Sequence, residues 1–560
     1  MLAAIAIWIE VVVVSKSLRH TLAVVVMAMV AAFSFAIAPG TARATDAGSI
    51  TVDGKVATRY DAYQLFSATV IDDADADQKV ATDITWANDA VRQAVLPVLH
   101  DAGLDSSAST AQEAAEWINA DGHMTTALTA KLARAIVKAG VVPVALNAGT
   151  TAELPCGYWL IVADDDAIAQ NEVGTAPIMV LVGGSAVAVK PKAATPKVAK
   201  HVLEDGTAAW QKAADATVGD DLYWRLSATV PAGLAAYDAY AVQFVDTMSA
   251  GLDPSEVAAS MRVYVAAGAD GGFDAVACEG GRAGTEPAKG WTDITAQCKV
   301  SVEGNSFTVR TGDLIAALGG ADAFAAGARV VAVYSAPLGA NCNRGVTKGN
   351  PNEVYLRYPR SPLADQSGDA GFTRTPSDDA TAYTWGLNLI KRSSSDDKPL
   401  ADAKLRITDD RGRTLAADGA WTTDADGYVV SGEDGRVELN GVDAGVYIVE
   451  EIAAPKGYTA FEGKRTAAVT AESLDVKQVA AAKPKVTVPA ESPLWVDTAD
   501  AGTGSIELSV LNTPSKEASR GFMPSTGDRT LVLVAALAAI GVAAIVVALV
   551  IKRGGGRRKK

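Results

Sequence analysis

Three polar side chains in the last third of the sequence fall where strand alternation predicts an inner face. Side chains of a β-strand point alternately to its two sides. Lys391 therefore shares a face with the leucines of WGLNLIK, Glu451 with the tyrosine and valine of YIVEE, and Asn512 with the apolar residues of SIELSVLN. A buried charged group is costly unless a partner compensates it. We therefore expect these three side chains to meet in one core.

These residue types can carry out one reaction when they are buried together. Burial lowers the pKa of an amine and raises the pKa of a carboxyl group. A neutral lysine can then attack the carboxamide carbon of an asparagine, while a protonated glutamic acid hydrogen-bonds the carbonyl and shuttles protons as ammonia leaves. The product is an amide crosslink between two strands. The simpler alternative is three unrelated strand-end residues that face solvent.

A second set of the same kind lies in the middle of the chain. Lys200 in PKVAKHV, Asp246 in YAVQFVD and Asn352 in NEVYLRY each share a strand face with apolar residues. Asn350 is the alternative acceptor, although Pro351 separates it from the strand. Ordinary polar residues at strand edges are the alternative interpretation of this set.

The segment YIVEEIAAPKGY resembles the E-box of sortase-assembled Gram-positive pilins, commonly written YxLxExxAPxGY. Val449 replaces the leucine, and the matching positions are Tyr447, Glu451, Ala454, Pro455, Gly457 and Tyr458. E-box domains are collagen-adhesin B-type, prealbumin-like sandwiches. The resemblance implies a bond from Lys391 to Asn512, with Glu451 as the catalytic residue.

The middle of the chain resembles pilin domains related to the collagen-adhesin A type, through WQKAADATVGDDLYWRLSATVP, DTMSAGL and GNPNEVYLRY. In these domains a lysine, an aspartate and an asparagine follow one another in this order. The resemblance implies a bond from Lys200 to Asn352, with Asp246 as the catalytic residue.

The C-terminal end carries a pentapeptide, an apolar span and a basic tail. The pentapeptide is Met523-Pro524-Ser525-Thr526-Gly527, the uncharged span covers 530–551, and KRGGGRRKK follows. The span is long enough to cross a bilayer as a transmembrane helix, and the basic tail should stay cytoplasmic. This order resembles the LPxTG sorting signal of Gram-positive proteins, with methionine in place of leucine. It implies that a sortase cleaves after Thr526 and transfers its carboxyl group to an amine.

The N-terminal end has the pattern of a secretory signal peptide. Residues 16–20 supply basic charge, an apolar stretch follows, and Ala42-Arg43-Ala44 is a small-x-small cleavage site before Thr45. We expect residues 1–44 to be removed. The precursor would be membrane-anchored, and the mature chain would be secreted and covalently attached to the Gram-positive cell wall.

The stretch VAVKPKAATP resembles the pilin motif, whose core is YPKN and whose lysine attacks the sortase thioester of the next subunit. Pro191 and Lys192 align with the core, while Lys190 replaces the tyrosine and Ala193 the asparagine. Lys192 is therefore the first candidate for the polymerising lysine and Lys190 the second. The alternative is a basic linker between domains.

Short strand-like runs separated by Asp- and Gly-containing turns predict a mainly β protein of tandem immunoglobulin-like or prealbumin-like sandwiches. The 560 residues favour about three domains, which we expect at 45–190, 191–365 and 380–514, followed by the sorting signal at 515–560. Apolar residues at three- and four-residue spacing predict a helical insertion in the first domain. SPLADQSGDAGFTRTPSDD predicts a linker between the second and third domains.

Composition restricts the function classes further. The net charge of -15 argues against nucleic acid as a partner. Four histidines show no metal-ligand spacing, so neither a metal nor another cofactor is expected. Cys278 and Cys298 flank a glycine-rich loop and could close a disulfide, whereas Cys156 and Cys342 fall in different predicted domains.

These expectations combine into a backbone, or major, pilin of a sortase-assembled fimbria that serves cell adhesion. Its partners would be a class C pilus sortase, a housekeeping sortase, other copies of itself, minor pilins, peptidoglycan and an unidentified host ligand. Apart from forming its own isopeptide bonds, the chain is not expected to be an enzyme. A monomeric sortase-anchored adhesin is the main alternative. A surface enzyme is the other, and the lack of a nucleophile-elbow or metal motif argues against it.

Overall fold

The computed structural model describes residues 47–73, 78–120, 122–169, 171–192, 194–279, 281–472, 483–487, 494–500 and 502–515. The predicted signal peptide, the pentapeptide from Met523 to Gly527 and the span at 530–551 lie outside these residues. In the part of the chain that is described, no helix is long and apolar enough to cross a membrane.

The N-terminal unit combines two small sheets with a group of three helices. Its elements are β1 (Ala47–Val52), β2 (Arg59–Asp73), β3 (Gln78–Trp86), α1 (Asp89–Asp101), α2 (Ala111–Asn119), α3 (Thr126–Lys138), β4 (Val144–Asn147), β5 (Thr151–Pro155), β6 (Gly157–Ala163), β7 (Ile178–Val182) and β8 (Val187–Val189). One sheet has the order β5-β1-β8, and the other has the order β3-β2-β6-β7 with β4 also paired to β2.

The predicted helical insertion is confirmed, since α1, α2 and α3 lie between β3 and β4. Each helix begins at a side chain that caps its first turn; Thr110 and Glu113 form a reciprocal capping box on α2. Val91, Val95 and Leu99 recur every four residues on the buried face of α1. The helices therefore pack one apolar face against the sheet.

The middle sandwich has two large sheets. Its elements are β9 (Lys197–Glu204), β10 (Ala209–Gln211), β11 (Ala213–Asp215), β12 (Tyr223–Val230), β13 (Gln243–Met248), α4 (Val257–Ser260), β14 (Arg262–Ala267), β15 (Val276–Glu279), β16 (Arg282–Pro287), β17 (Thr292–Asp293), β18 (Lys299–Glu303), β19 (Ser306–Arg310), α5 (Leu314–Ala317), β20 (Ala328–Ser335), β21 (Asn350–Pro359), β22 (Phe372–Arg374) and β23 (Asp378–Tyr383). One sheet has the order β10-β9-β12-β20-β14-β17 and the facing sheet β11-β23-β21-β13-β19-β18. Their inner faces form one apolar core.

The predicted linker after the middle sandwich differs from the structure. Strand β22 lies within SPLADQSGDAGFTRTPSDD, and β23 begins in its last two residues and continues beyond it. Both strands pair with β21. The glycine, proline and aspartate content of this segment indicated a turn-rich connection. Backbone pairing with β21 instead makes it part of the sheet that carries Asn352.

The C-terminal sandwich also has two sheets. Its elements are β24 (Trp385–Ser393), β25 (Lys404–Thr408), β26 (Thr414–Leu415), β27 (Trp421–Thr422), β28 (Val429–Val430), β29 (Arg436–Val442), β30 (Gly445–Ala453), β31 (Tyr458–Thr459), β32 (Lys464–Glu472), β33 (Lys483–Thr487), β34 (Leu494–Asp500) and β35 (Ser505–Pro514). The sheets have the orders β29-β24-β35-β31 and β27-β26-β25-β30-β32-β33. The first strand, β24, pairs in parallel with the last, β35.

The middle and C-terminal sandwiches contact each other directly. Asp215, at the end of β11, accepts hydrogen bonds from Trp385 Nε1 at 2.6 Å and from the Ala444 backbone N–H at 2.9 Å. Arg413 of the C-terminal sandwich pairs with Asp220 of the middle sandwich at 2.5 Å. The first residue of β24 is thus tied to a strand of the preceding sandwich.

Three carboxyl groups are buried at this junction, on Glu204, Asp215 and Asp443. Burial, together with neighbouring acids that include Asp205, raises the pKa of Glu204 to about 8 and that of Asp215 to about 6. The same causes raise the pKa of Asp443, although Arg411 opposes the rise. The native junction therefore holds protons that an unfolded chain would release near neutral pH.

Folding stability should accordingly decrease as the pH rises from about 5 to about 8. A carboxyl group with a raised native pKa contributes its stability below its ordinary pKa and loses it as the pH passes through the native value. Glu204→Gln should flatten the pH dependence of the denaturant midpoint over this range. Glu438→Gln, at an exposed position of β29, is the matched control. A slope that Glu204→Gln leaves unchanged would contradict the protonated junction.

Candidate functional site

Lys391, Glu451 and Asn512 meet between the two sheets of the C-terminal sandwich. Nζ of Lys391, on β24, contacts Oδ1 of Asn512, on β35, and lies 3.0 Å from Oε1 of Glu451, on β30. The same Oε1 accepts a hydrogen bond of 2.8 Å from Asn512 Nδ2. None of the three residues is more than 7% exposed. The predicted burial and convergence are confirmed, and the crosslink itself stays a prediction.

The residues that follow Glu451 hold its carboxylate in place. The chain turns at Gly457, whose φ of +88° favours glycine, and Tyr458 on β31 then pairs with β35. This return brings the backbone N–H of Phe461 to 2.9 Å from Oε2 of Glu451. The Phe461 ring also lies 5.1 Å from Lys391 Nζ. One carboxylate therefore contacts the amine, the carboxamide and a backbone donor.

Burial lowers the pKa of the Lys391 amine, although the charge of Glu451 raises it. Desolvation therefore outweighs the nearby acid and favours the neutral amine. A neutral amine that contacts a carboxamide is arranged for nucleophilic attack.

In the middle sandwich, Lys200 on β9 contacts Asp246 on β13 of the facing sheet through Nζ and Oδ2. Both side chains are fully buried. Nζ also donates a hydrogen bond of 2.9 Å to the Tyr334 hydroxyl and lies 5.4 Å from the centre of the Trp224 ring. The amine is enclosed by one acid, one phenol and aromatic faces.

The pKa values of this pair move towards each other. Burial lowers the pKa of Lys200 to about 8, although Asp246 raises it. Burial also raises the pKa of Asp246, although Lys200 lowers it. A proton can therefore move from Lys200 Nζ to the Asp246 carboxylate at little cost. The resulting state has a neutral amine beside a protonated carboxyl group. This is the protonation state that the predicted chemistry requires.

Asn352 lies on β21, in the sheet that faces β9, and is fully buried. Its Nδ2 donates a hydrogen bond of 2.8 Å to the Tyr334 hydroxyl, while its Oδ1 has no hydrogen-bond partner among the described residues. Asn350 is engaged elsewhere, since its amide exchanges hydrogen bonds of 2.8 Å with the backbone of Asn343. The geometry favours Asn352 over Asn350 as the acceptor.

Tyr334 is a site residue that the sequence reasoning missed. It lies on β20, directly opposite Trp224 of β12, and its hydroxyl is 3.2 Å from Asp246 Oδ2. In RVVAVYSA it follows Val330 and Ala332 on one face of the strand. A polar tip on an inner strand face was the signal that identified Lys200, and the same signal was present here.

The two candidate polymerising lysines follow β8 on the connection between the N-terminal unit and the middle sandwich. Both Lys190 and Lys192 are exposed. The backbone of this connection is anchored, because the carbonyl of Lys192 accepts a hydrogen bond of 3.0 Å from Thr175 Oγ1. Either amine could therefore be reached from solvent while its backbone is held.

The suggested disulfide between Cys278 and Cys298 is not present, and both residues are thiols. Cys278 pairs with Ala283 in the β15-β16 hairpin, whereas Cys298 Sγ donates to the Ile294 carbonyl at 3.3 Å and packs against the middle core. Their closeness in the sequence was misleading, because Cys278 lies in a separate two-stranded hairpin while Cys298 packs against the core of the middle sandwich. Within the described ranges, no group of three or more His, Cys, Asp and Glu side chains could hold a metal ion.

Residues 386–483 match the family model of the SpaA prealbumin-like fold domain. This match confirms the prealbumin-like domain that the E-box predicted. A comparison with curated protein sequences found no match.

The chain is also similar to solved structures of major pilins. The T6 backbone pilin of serotype M6 Streptococcus pyogenes is 14% identical, with a TM-score of 0.47 over 84% of this chain and 98% of that chain. The full-length major pilin SpaD from Corynebacterium diphtheriae is 15% identical, with a TM-score of 0.40 over the same shares of the two chains. BcpA, the major pilin subunit of Bacillus cereus, is 12% identical, with a TM-score of 0.38 over 84% of this chain and 99% of that chain.

Removal of one member of the buried pair should destabilise the middle sandwich more than removal of both. Asp246→Ala leaves the Lys200 amine buried without its acid, which costs roughly 3–5 kcal/mol. Lys200→Met/Asp246→Ala should recover a large part of this loss. Neither variant can form the Lys200–Asn352 bond with catalysis by Asp246. The difference between their free energies of unfolding therefore measures the cost of burying the lysine without its acid.

Denaturant unfolding monitored by circular dichroism measures this difference. Asp89→Ala, which removes an exposed ion pair with Arg92, is the control and should change the free energy of unfolding by less than about 1 kcal/mol. A double variant that is no more stable than Asp246→Ala would show that the unpaired lysine is not the source of the loss.

Proposed function

We propose that this chain is the backbone subunit of a covalent Gram-positive surface pilus, stabilised by isopeptide bonds that it forms itself. The observation that carries the proposal is the gathering of a buried lysine, acid and asparagine between the sheets of two successive sandwiches. A buried amine and a buried carboxyl group are costly to maintain, and an amide bond removes the charge of the amine permanently.

In the C-terminal sandwich, the neutral amine of Lys391 attacks Cγ of Asn512. Glu451 contacts both reacting nitrogens, so it can take a proton from Nζ and deliver one to Nδ2, which leaves as ammonia. The bond closes a loop between residues 121 positions apart. By the chain-entropy model used for disulfides, closing such a loop stabilises the fold by roughly 4–5 kcal/mol.

The proposed polymer links place both sandwiches under load. A class C sortase would join Thr526 of one subunit to Lys192, or to Lys190, of the next, so that tension enters beyond β35 and leaves between β8 and β9. The middle and C-terminal sandwiches lie on this path, and each would carry a covalent clamp. The N-terminal unit lies off the path, and among its described residues no lysine is buried.

The remaining partners follow from the proposed assembly. A housekeeping sortase would attach the base of the pilus to peptidoglycan, and minor pilins and a host ligand would bind elsewhere on the polymer. A monomeric sortase-anchored adhesin is the second candidate function, because a crosslinked sandwich also suits a single extended anchor. The exposed pair of lysines between two folded units favours the polymer.

Intact-protein mass spectrometry should find the mature chain about 34 Da lighter than its sequence mass, since each bond releases one ammonia of about 17 Da. Asn512→Ala and Asn352→Ala should each lose only about 17 Da. Asn350→Ala is the matched control and should keep both bonds. A wild-type chain at its full sequence mass would remove the crosslinks from the proposal, and a bond lost in Asn350→Ala would move the acceptor there.

In cells that carry the matching sortase, the wild-type chain should form a ladder of high-mass species on denaturing gels. Lys192→Arg should abolish the ladder because arginine cannot act as the attacking amine, whereas Lys197→Arg, at an exposed position of β9, should keep it. Thr526→Ala should leave only monomer. A ladder that persists in Lys190→Arg/Lys192→Arg would place the polymerising lysine elsewhere, and no ladder from the wild type would favour the monomeric adhesin.

A further inference from the structure

The two crosslinking sites differ in how the acid reaches the asparagine. In the C-terminal sandwich, Glu451 Oε1 accepts a hydrogen bond directly from Asn512 Nδ2. In the middle sandwich, Nδ2 of Asn352 donates instead to the Tyr334 hydroxyl. Among the described residues, Asp246 has hydrogen bonds to Lys200 and Tyr334 and none to Asn352. A phenol therefore occupies the position between acid and acceptor.

The Tyr334 hydroxyl has one proton and two lone pairs, and the site uses all three. It donates to Asp246 Oδ2 at 3.2 Å, and it accepts from Lys200 Nζ at 2.9 Å and from Asn352 Nδ2 at 2.8 Å. The residue is fully buried, and its ring packs edge-on against Phe307 at 4.8 Å between centroids. Burial raises the pKa of the phenol well above its ordinary value, so the hydroxyl is neutral before the reaction. Its hydrogen bonds and the contact with Phe307 hold it in place.

We propose that Tyr334 is a catalytic residue of the middle crosslink, relaying a proton from Asp246 to the departing nitrogen of Asn352. This inference rests on the proposed Lys200–Asn352 bond. Among the described residues Asp246 has no hydrogen bond to Nδ2, unlike Glu451 in the C-terminal sandwich, whereas the Tyr334 hydroxyl bonds to both the acid and Nδ2. The relay connects the acid to the departing nitrogen in the middle sandwich, where no direct hydrogen bond joins them.

The steps balance without any added reagent. The neutral Lys200 amine attacks Cγ of Asn352, forming the new C–N bond and placing negative charge on Oδ1. Attack makes Nδ2 tetrahedral, so this nitrogen gains a lone pair and no longer has to donate to the phenol oxygen. The protonated Asp246 then donates its proton to the Tyr334 oxygen as the phenol turns its own proton to Nδ2. The bond from Cγ to Nδ2 then breaks with its electron pair on nitrogen, and ammonia leaves. The Asp246 carboxylate takes the surplus proton from Nζ, so both acid and phenol return to their starting states.

Tyr334→Phe removes the hydroxyl and keeps the ring, and full-length chains carrying it test the relay. Chains are sampled at intervals after synthesis, digested, and assayed by mass spectrometry for the two crosslinked peptides. The Lys200–Asn352 bond should form at least about 100-fold more slowly, the loss expected for a missing general acid. The Lys391–Asn512 bond should form at the wild-type rate in the same molecules and serves as the internal control.

Tyr264→Phe is the matched control variant, because Tyr264 is a buried tyrosine of the same sheet whose hydroxyl donates to the Thr285 carbonyl at 2.7 Å, away from the crosslink. It should leave both rates unchanged. If the middle bond forms at the wild-type rate in Tyr334→Phe, the relay is overturned while the proposed function stands. If the wild type lacks this bond, the proposed middle crosslink fails and the relay fails with it.

A second variant tests the relay if Tyr334→Phe folds poorly. 3-Fluorotyrosine incorporated at position 334 retains the ring and hydroxyl but makes the phenol a stronger acid. A changed rate of formation of the Lys200–Asn352 bond, with an unchanged Lys391–Asn512 rate and an unchanged circular dichroism spectrum, would support proton transfer by the phenol. An unchanged rate in this folded chain would assign Tyr334 to packing and overturn the relay.

Discussion

A lysine amine that is enclosed between two β-sheets cannot keep its charge without an acid beside it, and this constraint shapes the cores of the middle and C-terminal sandwiches. The side chains of Lys200 and Lys391 are fully buried, and each meets a carboxyl group from the facing sheet. In water the amine would stay protonated and unreactive. In these cores desolvation shifts the balance towards the neutral form. The burial that makes the pair costly also makes it reactive.

The two sandwiches hold this pair in different ways. In the C-terminal sandwich the chain turns at Gly457 and returns to place the Phe461 N–H on the Glu451 carboxylate. One acid then contacts both the Lys391 amine and the Asn512 carboxamide. In the middle sandwich the acid contacts the amine, and the Tyr334 hydroxyl contacts amine, acid and carboxamide together. The same residue types therefore lie in two different hydrogen-bond networks, which makes one sandwich an internal reference for the other.

Strand order explains why these bonds would be mechanically useful. In the C-terminal sandwich β24 and β35 are the first and last strands and pair in parallel, so a bond between them joins the two ends of the domain. At the junction, Trp385 at the start of β24 donates to Asp215 of the middle sandwich. In the proposed polymer, load would pass from the middle sandwich to the C-terminal sandwich through this buried contact as well as through the connecting backbone.

The sequence alone indicated which polar side chains share a strand face with apolar residues, because alternation along a strand depends only on local geometry. That was enough to identify Lys200, Asp246, Asn352, Lys391, Glu451 and Asn512, and the E-box pattern indicated the prealbumin-like domain. The helical insertion could be predicted for the same reason, since its apolar period is local.

Which residue lies opposite a buried side chain depends on the order of the strands in each sheet and on which sheets face each other. Alternation along a strand gives no information about either. Only the tertiary structure therefore placed Tyr334 between Asp246 and Asn352, brought the Phe461 N–H to Glu451, and joined β22 and β23 to a sheet where a linker was predicted. It also separated Cys278 from Cys298, because closeness along the chain does not determine which strands share a core.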